Sequence, residues 1–257
     1  MPAFEALPGM PYWQDLITPG PQKAAYFYSK LLGWEISQDT YRVARKDGLP
    51  VAGIVAAEKA APAWVVYFLG QVGDSARFAG RVEELGGAVV STAEVSLGHL
   101  TVCHDPQGGL FGLVEPAGED HFVAAGEPGV PVWYEYVAPL KSAIDFYAEL
   151  FDFELVREGD YVVAVREGAP FLGFLLVDDA ELAASAGFWQ IFFGAEDARR
   201  AAHMVGEFGG EVIAGPEQTA FGQIVVAQDP TKAGFYLCEV ASPAPEDARE
   251  SDSILDL

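Results

Sequence analysis

The sequence predicts an α+β protein in which one kind of module occurs twice, with four βαβββ units whose helices cover mostly antiparallel sheets. Three observations support this fold class. The second half repeats the aromatic, glycine and aspartate landmarks of the first half in the same order. Each half alternates short apolar strands with two amphipathic helices, and turn residues typical of antiparallel hairpins separate neighbouring strands.

The internal repeat is visible residue by residue. Partner residues stay roughly 120 positions apart, so a few short insertions in loops account for the drift. Agreement at this many ordered positions indicates a duplication. The partners are Trp13 and Trp133, Phe27 and Phe146, Tyr28 and Tyr147, Tyr41 and Tyr161, Gly53 and Gly173, Trp64 and Trp189, and Asp105 and Asp229.

The first two elements of the first half are a strand and a helix. Residues 12–17 form a strand that stops at a turn containing Pro19. Residues 22–32 form a helix, because apolar residues recur along one of its faces and Gly33 ends it.

A hairpin and a second round of the same pattern follow. Two strands flank a turn at Asp47 and Gly48, residue types that suit a tight hairpin. A new strand at 64–69 then begins the βαβββ order again. The remaining elements of this half are a helix at 75–85 and strands near 88–95, 99–104 and 110–115.

Composition sets the predicted module boundaries. The first module spans residues 1–117 and the second spans 130–241. The linker at 118–129 is rich in glycine, proline and acidic residues. Residues 242–257 form an acidic C-terminal tail, whose composition is typical of segments without a packed core.

The net charge of the chain limits the kinds of partner that we expect it to bind. Its 15 basic and 38 acidic residues give a net charge of −23. Such a surface repels phosphate backbones and anionic lipids, so we expect neither nucleic-acid nor membrane partners. The sequence shows no signal-peptide pattern and no apolar run of about 18 residues. Two cysteines, Cys103 and Cys238, form no disulfide framework, and we expect a cytoplasmic protein that is a monomer or a homodimer.

Three phrases in this order carry a resemblance to a known family. They are FYSKLLGWE at 27–35, ELGGAVV at 84–90 and DPQGGLFGLVEP at 105–116. With them, the chain resembles the vicinal-oxygen-chelate superfamily of glyoxalases, bleomycin-resistance proteins and extradiol dioxygenases, and within it the tandem two-module type found in actinobacteria. The resemblance implies curved, mostly antiparallel sheets around concave pockets, with helices outside.

The resemblance also locates the positions at which metal-using relatives hold their ion. Those relatives place a His or Gln, a His and a Glu in the pocket. The matching positions here are Trp13, Trp64 and Gly112 in the first half, and Trp133, Trp189 and Tyr236 in the second. Neither indole nor glycine has a side-chain lone pair for a metal. We therefore expect no metal and no other cofactor, and a bound divalent metal would require a different mapping.

The histidines offer no alternative metal site. His99 and Cys103 share a strand but lie roughly 13 Å apart along it, too far to share an ion. His121 falls in the linker and His203 on an outer helix. Each is expected to have a structural or solvent-exposed role.

One face of the first strand of each module lines the pocket in the resembling fold. Period-two alternation places Asp15 on the same face as Trp13, and Glu135 on the same face as Trp133. These carboxylates are candidate polar anchors, or general bases if the pocket carries out chemistry, and no residue is assigned as catalytic. The predicted ligand-binding residues are Trp13, Asp15, Trp64, Phe68, Trp133, Glu135, Trp189, Phe193 and Tyr236.

This lining favours a protein that binds a small aromatic or cationic molecule in a metal-free pocket, because indole faces attract cations and stack on planar rings. Two alternatives stay open. One is a glyoxalase-type lyase, isomerase or dioxygenase, as the superfamily implies, and the other is a degenerate module that serves as an interaction scaffold. A competing interpretation of the pocket is that the indoles fill it and form a core.

Overall fold

The computed structural model describes residues 3–118, 122–159, 161–177 and 186–242. The predicted tail beyond Ser242, and His121 of the predicted linker, lie outside this part of the chain. Each half of the described chain contains one eight-stranded sheet and two helices. These helices are 10 or 11 residues long, and none of those described could cross a membrane.

The first sheet is built from two consecutive βαβββ units. A short strand, β1 (Ala3–Glu5), precedes it. The first unit contains β2 (Pro11–Thr18), α1 (Pro21–Leu31), β3 (Glu35–Ile36), β4 (Arg42–Lys46) and β5 (Leu49–Ala56). The second unit contains β6 (Ala63–Leu69), α2 (Ser75–Glu84), β7 (Ala88–Val95), β8 (Gly98–His104) and β9 (Leu110–Pro116).

The second sheet repeats this order. It follows β10 (Phe122–Ala124), which pairs with β1 in a small antiparallel sheet that the sequence pattern did not predict. Its first unit contains β11 (Pro131–Ala138), α3 (Lys141–Phe151), β12 (Glu154–Glu158), β13 (Tyr161–Arg166) and β14 (Ala169–Leu176). Its second unit contains β15 (Phe188–Ala195), α4 (Ala198–Glu207), β16 (Glu211–Thr219), β17 (Gly222–Gln228) and β18 (Gly234–Glu239).

Both sheets have the same strand order. In the first it is β3-β4-β5-β2-β6-β9-β8-β7, and in the second β12-β13-β14-β11-β15-β18-β17-β16. Among the described strands of these two sheets, the parallel pairs are β2 with β5, β6 with β9 and their counterparts in the second sheet. The predicted α+β class, with four βαβββ units and mostly antiparallel sheets, is confirmed.

Each sheet has two distinct faces. We call the face with Trp13 and Asp15, or with Trp133 and Glu135, the inner face, and the opposite one the helix face. The helix faces of both sheets form one shared hydrophobic core. For example, Phe27 of α1 packs edge-on against Phe235 of β18. As predicted, the helices lie on the side of each sheet that is opposite the inner face. The other module, however, covers α1 and α3.

A buried aspartate is a polar centre of this shared core. The carboxylate of Asp105 is 3% exposed. It accepts hydrogen bonds from the backbone N–H groups of Gln107 (2.8 Å) and Gly109 (2.9 Å) in its own turn. It also accepts the hydroxyl protons of Tyr136 and Tyr147, both from the second module. A buried carboxylate needs such partners because it has lost its hydration.

The duplicated aspartate, Asp229, is in the reciprocal position. Its Oδ1 accepts hydrogen bonds from the backbone N–H groups of Thr231 (2.6 Å) and Ala233 (3.1 Å). Tyr28 of the first module lies beside it, and burial together with the Asp229 charge raises the pKa of Tyr28 well above its usual value. Each module therefore places a tyrosine from its first helix against an aspartate in the last turn of the other module.

Replacing Tyr147 by phenylalanine tests this contact between modules. Tyr147→Phe keeps the ring but removes one donor to Asp105, together with the acceptor of the Trp189 indole N–H. We expect the free energy of unfolding to fall by about 1–3 kcal/mol, because a buried acceptor loses a partner. Urea denaturation followed by circular dichroism measures the change.

The matched control is Tyr26→Phe, which removes a hydroxyl from a tyrosine that is 56% exposed on α1. Its free energy of unfolding should stay within about 0.5 kcal/mol of the wild type. If both variants were as stable as the wild type, the hydrogen bond to Asp105 would not contribute to holding the modules together.

Candidate functional site

The inner face of the first module depends on the pairing of β2 with β6. In this antiparallel pair Trp13 lies opposite Tyr67, and Asp15 lies opposite Val65. A bulge after Pro11 shifts the register at the start of β2. Side chains directly opposite each other point to the same face of a sheet. Tyr67 therefore joins Trp13 and Asp15 on the inner face.

Three aromatic side chains enclose Asp15. The indole N–H of Trp13 is shared between Asp15 Oδ1 (2.9 Å) and the Tyr41 hydroxyl (2.8 Å). The Tyr41 hydroxyl itself donates to Asp15 Oδ1 at 2.7 Å. Tyr67 also hydrogen-bonds to the carboxylate. Trp13 and Asp15 are each 1% exposed, so this cage is closed to solvent.

The cage changes the acidity of the carboxyl it holds. Burial raises the pKa of Asp15 to about 6, and the hydrogen bonds from Tyr41, Trp13 and Tyr67 oppose this rise. Burial dominates because the charged form has lost its hydration. Asp15 therefore binds a proton more tightly in the folded chain than in the unfolded one.

Two glycines make room for the cage. A Cβ atom at Gly53 would collide with the carboxylate of Asp15 and the hydroxyl of Tyr41. A Cβ atom at Gly112 would collide with the ring of Tyr67. Gly112 is the position at which metal-using relatives hold a glutamate, and here the Tyr67 ring occupies the adjacent space. The inner face of the first module is thus a filled core.

The inner face of the second module is arranged differently. In the pair of β11 and β15, Trp133 lies opposite Phe192, and Glu135 lies opposite Gln190. Tyr236 of β18 stands beside Phe192, with ring centroids 4.5 Å apart. Trp133, Glu135, Gln190 and Tyr236 are all partly exposed. This face therefore presents both aromatic and polar groups to solvent.

A short hydrogen-bond chain ends at Glu135. The indole N–H of Trp133 donates to the Tyr161 hydroxyl at 2.9 Å, and Tyr161 hydrogen-bonds to Glu135. Burial raises the pKa of Glu135, and the bond to Tyr161 opposes that shift. Burial and the Glu135 charge also raise the pKa values of Tyr161 and Tyr236. At neutral pH the face thus holds a carboxyl of increased proton affinity and two uncharged phenols.

Four of the predicted ligand-binding residues lie elsewhere. The assignment to the pockets is wrong for Trp64, Phe68, Trp189 and Phe193, which lie on the helix faces in the shared core. Trp64 of the first module packs against Phe193 of the second, and Phe68 of the first packs against Trp189 of the second. The ring centroids are 5.4 Å apart in both pairs. These residues pack the two modules together.

The observed pairing of β6 with β2 differs from the predicted one by a shift of one residue. In the prediction, the pocket face of the second unit starts at Trp64, whereas in the sheet Trp64 lies opposite Leu16 and Val65 lies opposite Asp15. A shift of one residue sends every side chain of a strand to the other face. The residues that lie opposite Asp15 and Glu135 on the inner faces are therefore Val65 and Gln190, and not Trp64 and Trp189.

Several residues of the inner faces were missed by sequence reasoning. The repeat pairs Tyr41 with Tyr161, and this pairing was the one signal that could have placed both beside the first strand. The others required the strand register. The missed residues are Tyr41, Tyr67, Tyr161, Gln190 and Phe192.

The inner-face residues beside the two carboxylates do not fit a metal ion. In the first module, Trp13, Val65 and Gly112 offer no lone pair. In the second, the amide of Gln190 and the protonated phenol of Tyr236 are weak donors. Across residues 3–118, 122–159, 161–177 and 186–242, no group of three or more His, Cys, Asp or Glu side chains could hold a metal ion.

Two family models match the chain. One, described as a glyoxalase-like domain, matches residues 14–114. The other, described as the glyoxalase/bleomycin resistance protein/dioxygenase superfamily, matches residues 135–237. Both halves of the chain belong to this superfamily. The matches confirm the resemblance and the two-module arrangement, because each covers most of one sheet.

Relatives with the same two-module length are found among curated proteins and solved structures. The anthracycline biosynthesis protein DnrV of Streptomyces peucetius is 26% identical over 93% of this chain and 96% of that protein. The Mn(II)-bound glyoxalase from Novosphingobium aromaticivorans has a TM-score of 0.64 at 16% identity, covering 93% of this chain and 88% of that one. The 2,3-dioxygenase LapB from Pseudomonas sp. KL28 has a TM-score of 0.63 at 14% identity, covering 95% and 96%. At these identities the two structures share the fold alone.

The raised pKa of Asp15 predicts a pH dependence of stability. A pKa near 6, against 3.8 in the unfolded chain, means that the folded state keeps the proton between about pH 4 and pH 6 while the unfolded state loses it. The contribution of Asp15 to stability therefore falls as the pH rises through this window, by about 3 kcal/mol in total. Asp15→Asn lacks this titration.

We expect the free energy of unfolding of Asp15→Asn, relative to the wild type, to increase between pH 4 and pH 7. Urea denaturation at several pH values measures the difference. Asp39→Asn, which alters an exposed carboxylate, is the control. Parallel pH profiles for Asp15→Asn and the wild type would contradict the raised pKa.

Proposed function

We propose that this glyoxalase-superfamily protein binds a small, planar organic molecule at the inner face of its second module, without a metal ion. The difference between the two inner faces carries the proposal. Asp15 is closed off by its aromatic cage, whereas Glu135 and its neighbours are partly exposed. In this proposal the first module contributes a structural core and the second contributes the binding site.

Differences in residue type at equivalent positions of the two modules explain why the inner face of the second module is partly exposed. Tyr67 hydrogen-bonds to the caged carboxylate, but its counterpart Phe192 has no hydroxyl and stacks on Tyr236 instead. The polar groups of the second module are thus left without a closing side chain from this strand. From first to second module, the exchanges are Asp15 to Glu135, Val65 to Gln190, Tyr67 to Phe192, and Gly112 to Tyr236.

The exposed groups indicate what the ligand would carry. The partly exposed indole of Trp133 can stack on a planar ring. Glu135 can accept a hydrogen bond from a hydroxyl or a protonated amine, and a charge-assisted bond of this kind is stronger than a neutral one. The net charge of −23 favours neutral or cationic molecules over anions. The site therefore suits a planar aromatic compound with a phenol or an amine.

One kind of relative, the anthracycline biosynthesis proteins, supports an aromatic ligand. Anthracyclines are planar polycyclic aromatic compounds, and the chain is similar to an anthracycline biosynthesis protein over nearly its whole length. The alternative of a glyoxalase-type lyase or a dioxygenase receives less support. Chemistry of that kind uses a metal ion as a Lewis acid, and the residues at Trp133, Gln190 and Tyr236 are poor metal ligands.

Tryptophan fluorescence titration tests the site. 9-Aminoacridine is a planar cation, 2-naphthol a planar phenol, and 2-naphthoate an anion of similar shape. We expect saturable quenching by the first two and much weaker binding of the anion. Glu135→Gln should raise the dissociation constant of 9-aminoacridine about tenfold or more, because a charge-assisted hydrogen bond becomes a neutral one.

The duplication provides matched controls for this titration. Asp15→Asn, at the equivalent position of the closed cage, should leave the dissociation constant unchanged. Trp133→Phe should remove most of the quenching, whereas Trp13→Phe should retain it. Equal effects of Asp15→Asn and Glu135→Gln on binding would contradict a site confined to the second module.

A metal-loading experiment tests the metal-free part of the proposal. After incubation with Mn²⁺ or Zn²⁺ and dialysis, elemental analysis should find far less than one ion per chain. The melting temperature should shift by less than about 1 °C, because an ion that does not bind the folded state cannot stabilise it. One bound metal ion per chain that is lost in Glu135→Gln would contradict the metal-free site. The fluorescence titration would then still test ligand binding independently.

A further inference from the structure

A second cavity lies between the modules, away from the closed cage of Asp15. Its volume is about 350 Å³, and it is formed where the starts of β2 and β11 meet. Residues at equivalent positions of the repeat line it together: Pro11 with Pro131, and Pro50 with Pro170. A cavity lined by matching positions of two copies lies on the axis that relates them. We call it the axial cavity.

The walls of the axial cavity are apolar and stiff. The four prolines have fixed φ angles and no backbone N–H group to satisfy. Tyr12 and Phe171 add aromatic surface. Although 21% of the whole chain is charged, none of the described residues that line this cavity carries a charge. Such walls select a neutral, flat molecule, because a charged one would lose its hydration without a partner.

The floor of the cavity carries one polar pair that breaks the symmetry. Gln14 and Tyr134 occupy equivalent positions, and the Tyr134 hydroxyl donates to Gln14 Oε1 at 2.7 Å. The amide of Gln14, 2% exposed, donates to the carbonyl oxygen of Val51 and is thereby held in place. A phenol that has donated its proton keeps lone pairs for accepting a hydrogen bond. The Tyr134 oxygen can thus accept a hydrogen bond from an occupant.

From this geometry we infer that the axial cavity is a second ligand site, which takes a neutral, planar aromatic molecule with one hydrogen-bond donor directed at Tyr134. The size supports this assignment, since small-molecule sites commonly enclose about 300–1,000 Å³. The asymmetric floor supports it as well, because Gln14 and Tyr134 distinguish two orientations that the paired prolines would accept equally. This inference does not depend on ligand binding at Glu135.

The test uses N-phenyl-1-naphthylamine, a neutral aromatic probe with a planar naphthalene ring and a single N–H donor, whose fluorescence rises in apolar surroundings. The full chain should bind it saturably, with one probe per chain. Ala125→Phe places a ring into the cavity from a partly exposed lining position and should weaken binding at least tenfold. The matched control is Ala57→Phe, at a partly exposed loop alanine outside the cavity, and should bind like the wild type.

The polar floor is tested with Tyr134→Phe and a second probe. This variant should weaken N-phenyl-1-naphthylamine about fivefold or more, since the donor loses its acceptor. It should leave the N-methyl derivative, which has no donor, with its wild-type affinity. A loss of both probes to the same degree would overturn the role given to Tyr134.

Other results would contradict ligand binding in the axial cavity, and they can be told apart from a failure of the proposed site at Glu135. Glu135→Gln should bind the naphthylamine with wild-type affinity. If Glu135→Gln lost binding and Ala125→Phe kept it, the probe would bind at the second inner face and not in the axial cavity. Absence of saturable binding would reject the axial site outright. A dimer in sedimentation velocity that Ala125→Phe dissociates would assign this surface to a second copy of the chain instead.

Discussion

The exchange of tyrosine–aspartate contacts between the modules is the constraint on which the rest of the structure depends. Asp105 sits in a turn of the first module, yet two of its hydrogen-bond donors, Tyr136 and Tyr147, come from the second. Asp229 has Tyr28 of the first module beside it. A buried carboxylate left without its donors is strongly destabilising. Each module therefore contributes tyrosine side chains to the polar core of the other, where their helix faces meet.

This arrangement leaves the inner faces as the surfaces on which the modules can differ. The helix faces are fixed by symmetric pairs such as Trp64 with Phe193 and Phe68 with Trp189. The inner faces carry no such mutual requirement, and their side chains have diverged. In one module Tyr67 closes the cage around Asp15, while in the other the carboxyl group stays partly exposed. A duplicated scaffold can thus keep one copy as a structural core and leave the other free to bind a ligand.

Much of the fold could be predicted from local patterns. The helix expected at 75–85 is observed at Ser75–Glu84, and the strand expected at 12–17 at Pro11–Thr18. Hydrophobic periodicity and turn residues act within a few positions of the chain, so they are readable without knowing the partners. The pairing of β1 with β10 was not readable, because it joins segments more than 100 residues apart in sequence whose own patterns are short.

The candidate site shows more clearly what could not be predicted from the sequence. The sequence by itself determined the duplication, the superfamily, and the placement of an acidic side chain two positions after a tryptophan in both modules. Only the tertiary structure decided which face of β6 and β15 meets those carboxylates, and it placed Tyr67 and Gln190 there instead of Trp64 and Trp189. The physical reason is that alternation along a strand fixes which residues share a face, but the pairing register between strands decides which of the two faces it is. That register is set by contacts across the sheet and by the bulge after Pro11, which leave no local trace in the sequence.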